Sequence, residues 1–158
     1  GWEYEEILEV MPAIRESSFL QISLPTLKYL IKNKRVGRIQ GIFGNMMKVK
    51  PILGLDDEGY LTTLSKERGG QRVIEKISEN AIDFVRSHPH NIKIYLAWGF
   101  DKNKKMVDEV FKKFIANIKL LGIKNYKVYK NRIMPTIGCN SGPDAYGFGV
   151  YGEKHPIG

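Results

Sequence analysis

The side chains of this 158-residue chain that could do chemistry are few and scattered. His88 and His90 flank Pro89, and His155 stands near the end. Two imidazoles at i and i+2 around a proline suit a solvated turn, and no Cys, Asp or Glu joins them at a metal-ligand spacing. Cys139 and Ser141 are candidate nucleophiles. No histidine lies near them in sequence and Asn140 between them cannot act as a base, so a triad would need His88 or His155 from a distance. A small buried cysteine at a strand end is the plainer reading of Cys139. The stretch VGRIQGIFG has glycines at 37, 41 and 44 but is neither GxGxxG nor a P-loop. Arg68-Gly69-Gly70 could offer free N–H groups to an anion at a helix start, although a helix entry is reason enough for it. The expected chemistry is binding, not catalysis, with no metal and no cofactor.

The strongest binding signal is the run from Lys32 to Pro51, with six basic residues and no acidic one, inside an acid-free window from Ser17 to Leu55. The whole chain carries a formal charge of +8. Within the run, Ile39, Ile42, Phe43, Met46 and Met47 fall on one helical face, interrupted by Gly41 and Gly44. Each glycine costs such a helix about 1 kcal/mol relative to alanine. Close approach by a neighbouring backbone or a ligand chain would compensate. A small-molecule pocket combines apolar walls with a few converging polar groups. The apolar face from Ile39 to Ile52 and the small polar residues from Asn140 to Asp144 form such a set. The same charge also suits an acidic protein, nucleic acid or a membrane surface. Nucleic acid is the weaker of these, because the charges interleave with an apolar stripe and no known recognition module is present.

Positioning these groups requires a folded frame. Apolar spacing predicts a short or kinked helix near residues 4–16, held against a neighbour by Ile7 and Met11 although Pro12 interrupts it. FLQIS (19–23) reads as a strand, and Pro25 starts a helix through Thr26–Lys32. VKPILGL and YLTTLS flank the acidic turn DDEG as a hairpin. A core stripe from Val73 to Val85 and another from Met106 to Leu121 mark two long helices, with the strand NIKIYLAW between them. Tyr126–Tyr129 begins another strand, and RIMPTIGCNSGPDAYGFGVYG reads as strand, polar turn, strand. The frame is α/β: one domain, a two-layer sandwich with a mixed sheet of about six strands and helices on one face. At 42% hydrophobic residues the chain can bury one core. No apolar run nears the roughly 20 residues of a membrane helix, and the acidic start GWEYEEILEV is unlike a signal peptide. A cytoplasmic protein is expected.

The stretch LPTLKYLIKNKRVGRIQGIFGNMMKVKPILGLDDEGYLTTLSKERG resembles the DegV family of bacterial fatty-acid-binding proteins, whose segments read TLEYLKKGGRI and KPIL. Thr26, Leu27, Tyr29, Leu30, Arg35, Gly44, Lys50, Pro51, Ile52 and Leu53 fall in register. PTIGCNSGPDAYGFGVYG is similar to the family's PVIGTHTGPGALGV at Gly138, Gly142, Pro143 and Gly147. The resemblance implies a C-terminal lobe of a DegV-like fold, with residues 1–16 as a helix connecting lobes, residues 17–158 as the lipid-binding lobe, and the N-terminal lobe absent. It implies a carrier, not an enzyme, that binds a long-chain fatty acid and presents it to an acyl kinase. The missing lobe would be a second partner. The implied ligand-binding residues are Asn140, Ser141, Gly142, Arg35, Ile39, Phe43, Met46, Met47 and Ile52. Asn140 stands where the family's loop histidine helps hold the carboxylate, Asp144 replaces a glycine, and Asn33-Lys34 replaces a glycine pair. These departures motivate an alternative, a basic interaction module that docks an acidic protein or nucleic acid around a degenerate pocket.

Overall fold

The computed structural model describes residues 1–35 and 49–156, apart from the side chain of Lys102. Eleven elements are described: α1 (Tyr4–Glu16), β1 (Ser18–Ser23), α2 (Lys28–Lys32), β2 (Lys50–Leu55), β3 (Leu61–Glu67), α3 (Gly70–Ser87), β4 (His90–Trp98), α4 (Asp101–Leu120), β5 (Tyr126–Arg132), α5 (Pro135–Ser141) and β6 (Tyr146–Glu153). The six strands form one sheet in the order β3-β2-β1-β6-β4-β5. Neighbours are antiparallel except β4 and β5, which run parallel because α4 carries the chain back between them.

Local chemistry sets the elements. In the β2–β3 turn the Asp56 carboxylate accepts the N–H groups of Glu58 and Tyr60, at 3.1 and 2.8 Å, and Gly59 takes a φ of +83°. The stripes of α3 and α4 pack on one face of the sheet against Ile92, Ile94, Leu96 and Trp98 of β4 and Tyr146, Phe148 and Val150 of β6. A second, smaller cluster gathers Leu24, Leu27, Leu30, Leu53 and Ala145. Ile52 belongs to the first cluster and its neighbour Leu53 to the second, so β2 buries both of its faces. The helices are therefore not confined to one face as expected: α2, in the second cluster through Leu30, lies on the opposite side from α3 and α4.

Four further expectations change. Pro135–Ser141 is a helix, not part of a strand–turn–strand unit, with proline in its first turn and Gly142 past its end at φ +81°. Cys139 is exposed on that helix, not buried at a strand end. His88 is buried, its ring stacked on Phe84 with centroids 4.1 Å apart and Nδ1 2.8 Å from Ser87 Oγ, so it is not in a solvated turn. The opening helix does form, but it buries no residue, and Ile7 and Met11 are exposed.

Candidate functional site

His88 and His90 lie at one end of the sheet, and the polar residues from Asn140 to Asp144 at the other. There β1 and β4 finish, β2 and β6 begin, and α3 and α4 start. Gly142 is the pivot. Its left-handed φ disfavours any side chain, and a Cβ would stand 2.5 Å from the Tyr29 ring of α2. Asn33 at the end of α2 donates its amide to the Cys139 carbonyl at 2.8 Å, fixing α2 to α5. On the other side Phe100 N–H donates to the Pro143 carbonyl at 2.6 Å and Gly99 N–H to that of Ala145 at 2.8 Å. A Cβ on Gly99 would lie 1.8 Å from the Pro143 oxygen, so only glycine admits this approach. Asn103 closes the frame by donating to the Asp144 carbonyl at 3.0 Å.

Asn140, Ser141 and Gly142 are thus brought together at the C-terminal end of α5, close to the end of α2. Asn140 is half-buried and donates its amide to the Thr136 carbonyl at 3.2 Å; Ser141 is buried, and its hydroxyl donates to the Gly142 carbonyl at 3.3 Å. Arg35 follows α2 with its side chain exposed and its backbone N–H on the Leu30 carbonyl. Ile52 is fully buried in the larger core, apart from these groups. Ile39, Phe43, Met46 and Met47 lie outside the described residues.

Sequence reasoning missed a second polar group at the same end. The Tyr146 hydroxyl donates to the Gly70 carbonyl at 3.2 Å, and burial pushes its pKa up from the usual phenol range. The Lys50 ammonium and the Tyr146 hydroxyl both stand 3.4 Å from where a Gly70 Cβ would be, at the start of α3. Ser23 donates to the Pro51 carbonyl at 2.9 Å beside them. The one signal for this in the sequence is Lys50 ahead of a buried strand. Outside these groups, Arg132 pairs with Asp101, and its hydrogen bond holds the Asp101 carboxyl below the usual carboxylate range.

The α/β sandwich thus carries amides, hydroxyls and an ammonium group at one end of its sheet. Among the described residues no group of three or more His, Cys, Asp or Glu could hold a metal ion, and no helix is long and apolar enough to cross a membrane. The chain belongs to the DegV family: the model of that family of uncharacterised proteins matches residues 1–153. It is 31% identical over 144 residues to a DegV domain-containing protein of Clostridium acetobutylicum, covering 91% of this chain and 48% of that protein. To the protein YejH of Lactococcus lactis it is 33% identical over 150 residues, covering 92% and 49%.

Solved structures share the fold. A DegV family protein of Thermus thermophilus, described as fatty-acid binding, aligns with a TM-score of 0.75 at 23% identity, over 96% of this chain and 51% of that one. A stearic-acid-binding protein of Eubacterium ventriosum aligns with 0.74 at 19%, over 98% and 50%. The fatty acid kinase B3 protein of Streptococcus pneumoniae, loaded with linoleic acid, aligns with 0.69 at 17%, over 97% and 50%.

Two expectations from the resemblance are corrected. It was confined to a C-terminal lobe, with a missing N-terminal lobe as partner. The family match instead runs from the opening residues through β6, so family and fold belong to nearly the whole chain and not to one lobe of it. The chain spans about half the length of the curated relatives it matches. Stearic acid and linoleic acid are the ligands named for two of these solved proteins.

Proposed function

We propose that this protein binds one long-chain fatty acid and presents its carboxylate to an acyl kinase in the cytoplasm. The observation that carries the reading is the DegV match over residues 1–153, together with a shared fold in proteins solved with fatty acids. The carboxylate would lie at the sheet end that holds Asn140, Ser141 and Gly142, with exposed Arg35 supplying positive charge near α2. An amide and a hydroxyl can both donate to a carboxylate once they turn from their present carbonyl partners. The acyl chain would run over the sheet face opposite α3 and α4, where Leu20 and Tyr95 are exposed. Each buried methylene contributes about 0.8 kcal/mol, so a long chain needs only a modest headgroup clamp. The kinase as partner is supported by the Streptococcus pneumoniae relative alone.

The test is uptake. Delipidated protein mixed with hexadecanoic acid should give a saturable complex of one acid per chain by native mass spectrometry. Absence of any saturable complex with long-chain acids would sink the reading. The alternative of a basic docking module rests on exposed charge at Lys32–Arg35 and has no further support among the described residues.

A further inference from the structure

Four glycines lie inside strands among the described residues: Gly54 in β2, and Gly147, Gly149 and Gly152 in β6. A glycine inside a strand weakens it, so each calls for a reason. Three have one in the packing. A Cβ on Gly54 would stand 2.6 Å from Leu64 Cδ1, one on Gly147 2.4 Å from the Gln21 carbonyl oxygen, and one on Gly152 2.6 Å from that of His88. Gly149 is different. Its Cβ would meet Tyr95 Cβ at 3.5 Å, the Phe19 oxygen at 3.6 Å and Leu20 Cδ1 at 3.9 Å, all ordinary contacts, and its φ is not left-handed. Neither packing nor backbone among the described residues explains why this position is bare.

Its neighbours define a notch. Gly149 pairs with Leu20 of β1 on one side and Tyr95 of β4 on the other. Paired residues point to the same face, so Leu20 and Tyr95 are walls over a floor that has no side chain. The backbones that carry these walls are two strand spacings apart, about 9.6 Å, and the Leu20 side chain leans inward over the floor. Tyr129 stacks on Tyr95 at 4.9 Å, nearly parallel, and holds the ring upright. Leu20 and Tyr95 are 48% and 45% exposed, which is a large apolar surface left uncovered. Towards the polar end, Ile22 leans over Gly147. At the far end stands Tyr151, its hydroxyl donating to Glu153 at 2.7 Å and its ring under the Lys93 ammonium.

We infer that Gly149 floors the notch that receives the methyl end of the acyl chain, and that it thereby sets the chain length the protein accepts. The inference rests on the fatty-acid reading above. A hydrocarbon chain laid along the notch meets both walls at apolar packing distance, about 4 Å. The Gly149 floor and the Leu20 wall offer no side-chain donor or acceptor, and the Tyr95 hydroxyl is the one polar group on the walls. From Gly142, where the headgroup is proposed to sit, the chain turns at Pro143 and Asp144, with Ala145 N–H on the Gly142 carbonyl at 3.5 Å, and four further residues lead along β6 to Gly149, about 14 Å on. At ordinary C–C geometry extended decanoic acid, about 11 Å long, falls short of Gly149, and hexadecanoic acid, about 19 Å long, reaches it.

The test measures the affinities of the full chain for decanoic and hexadecanoic acid, in wild type, Gly149→Ala and Gly149→Val. Valine suits a strand, so the variants should melt no lower than wild type. Hexadecanoic acid should lose tenfold or more in affinity with Gly149→Val and less with Gly149→Ala, while decanoic acid changes less than twofold. Leu20→Trp, which fills the notch from its wall, should act like Gly149→Val and carries the test if the valine variant does not fold. Equal losses for both acids, or no loss for either, overturn the notch while the fatty-acid reading stands. If wild type takes up neither acid, the fatty-acid reading falls and the notch falls with it.

Discussion

Strand β6 shows two solutions to one problem on its two faces. Towards α3 and α4 it presents Tyr146, Phe148 and Val150, all buried, in a core with ring contacts from Phe114 and Phe111 to Phe148. Towards the other face it presents Gly147, Gly149 and Tyr151, beside the exposed side chains of Leu20 and Tyr95. One face is filled to exclude everything, and the other is left shallow. The first supplies stability; the second is where a ligand can lie. A sheet with both faces filled would bury more apolar surface, so the contrast within a single strand is what the proposed site rests on.

The comparison breaks most easily at the core. Phe114 is fully buried and its ring centroid lies 5.3 Å from that of Phe148. Phe114→Ala should cost about 3–5 kcal/mol in urea unfolding, as large-to-small changes in packed cores do. Leu20→Ala, on the shallow face, should cost less than about 1 kcal/mol by the same measurement, because half of that side chain is already in water. Equal costs would mean that the two faces are not distinct. At the joint between α2 and α5, Gly142→Ala combines a left-handed φ with a clash against Tyr29, which predicts a loss of about 1–3 kcal/mol. Hydrogen exchange should then rise in α5 and the end of α2 before it rises in α3 or α4.

Much of the filled face was legible in the sequence, and little of the end proposed to hold the carboxylate was. The stripe from Val73 to Val85 anticipated α3, and NIKIYLAW anticipated β4 to within one residue, because periodicity over long segments reports a core directly. Helix α5 was not read. Its seven residues are too few to show a period, and Gly138, Asn140 and Ser141 read as a turn. Its boundaries were nevertheless marked, by Pro135 at the start and Gly142 past the end. Asn140, Ser141 and Gly142 could be named together because they adjoin. Their supports could not, since Asn33 meets Cys139 across 106 residues and Tyr29 meets Gly142 across a similar gap. Gly149 looked like any strand glycine until its neighbours could be inspected.

Asn140 allows a sharper test of the binding end. An asparagine there can donate to a carboxylate but cannot become cationic. Asn140→His should tighten fatty-acid binding several-fold as pH falls below about 6.5, where an imidazole gains its charge. The wild-type affinity should show no such rise over the same window. A variant whose affinity stays flat from pH 8 to 5.5 would place the carboxylate away from α5.

The smallest expected effect lies at the rim of the filled face. Asp108 on α4 pairs with Lys104 at 2.5 Å, and with Lys130 of edge strand β5 at 3.4 Å, whose ammonium also lies 4.3 Å over the Phe111 ring. The hydrogen bond from Lys104 is the main cause holding the Asp108 carboxyl below its ordinary value of 3.8, and the two ammonium charges add to it. A depressed folded-state pKa contributes stability that is fully present above the unfolded value and is lost as pH falls through the folded one. Stability should therefore hold down to about pH 4 and decline below it. Because the groups are partly exposed, this pair contributes only about 0.5 kcal/mol of that decline. Asp108→Asn should remove that share and leave the shallow face and fatty-acid affinity unchanged, as read by urea unfolding at pH 3 and pH 6. An equal pH dependence in the variant would show that the ties between α4 and β5 are apolar, through Phe111, and not ionic.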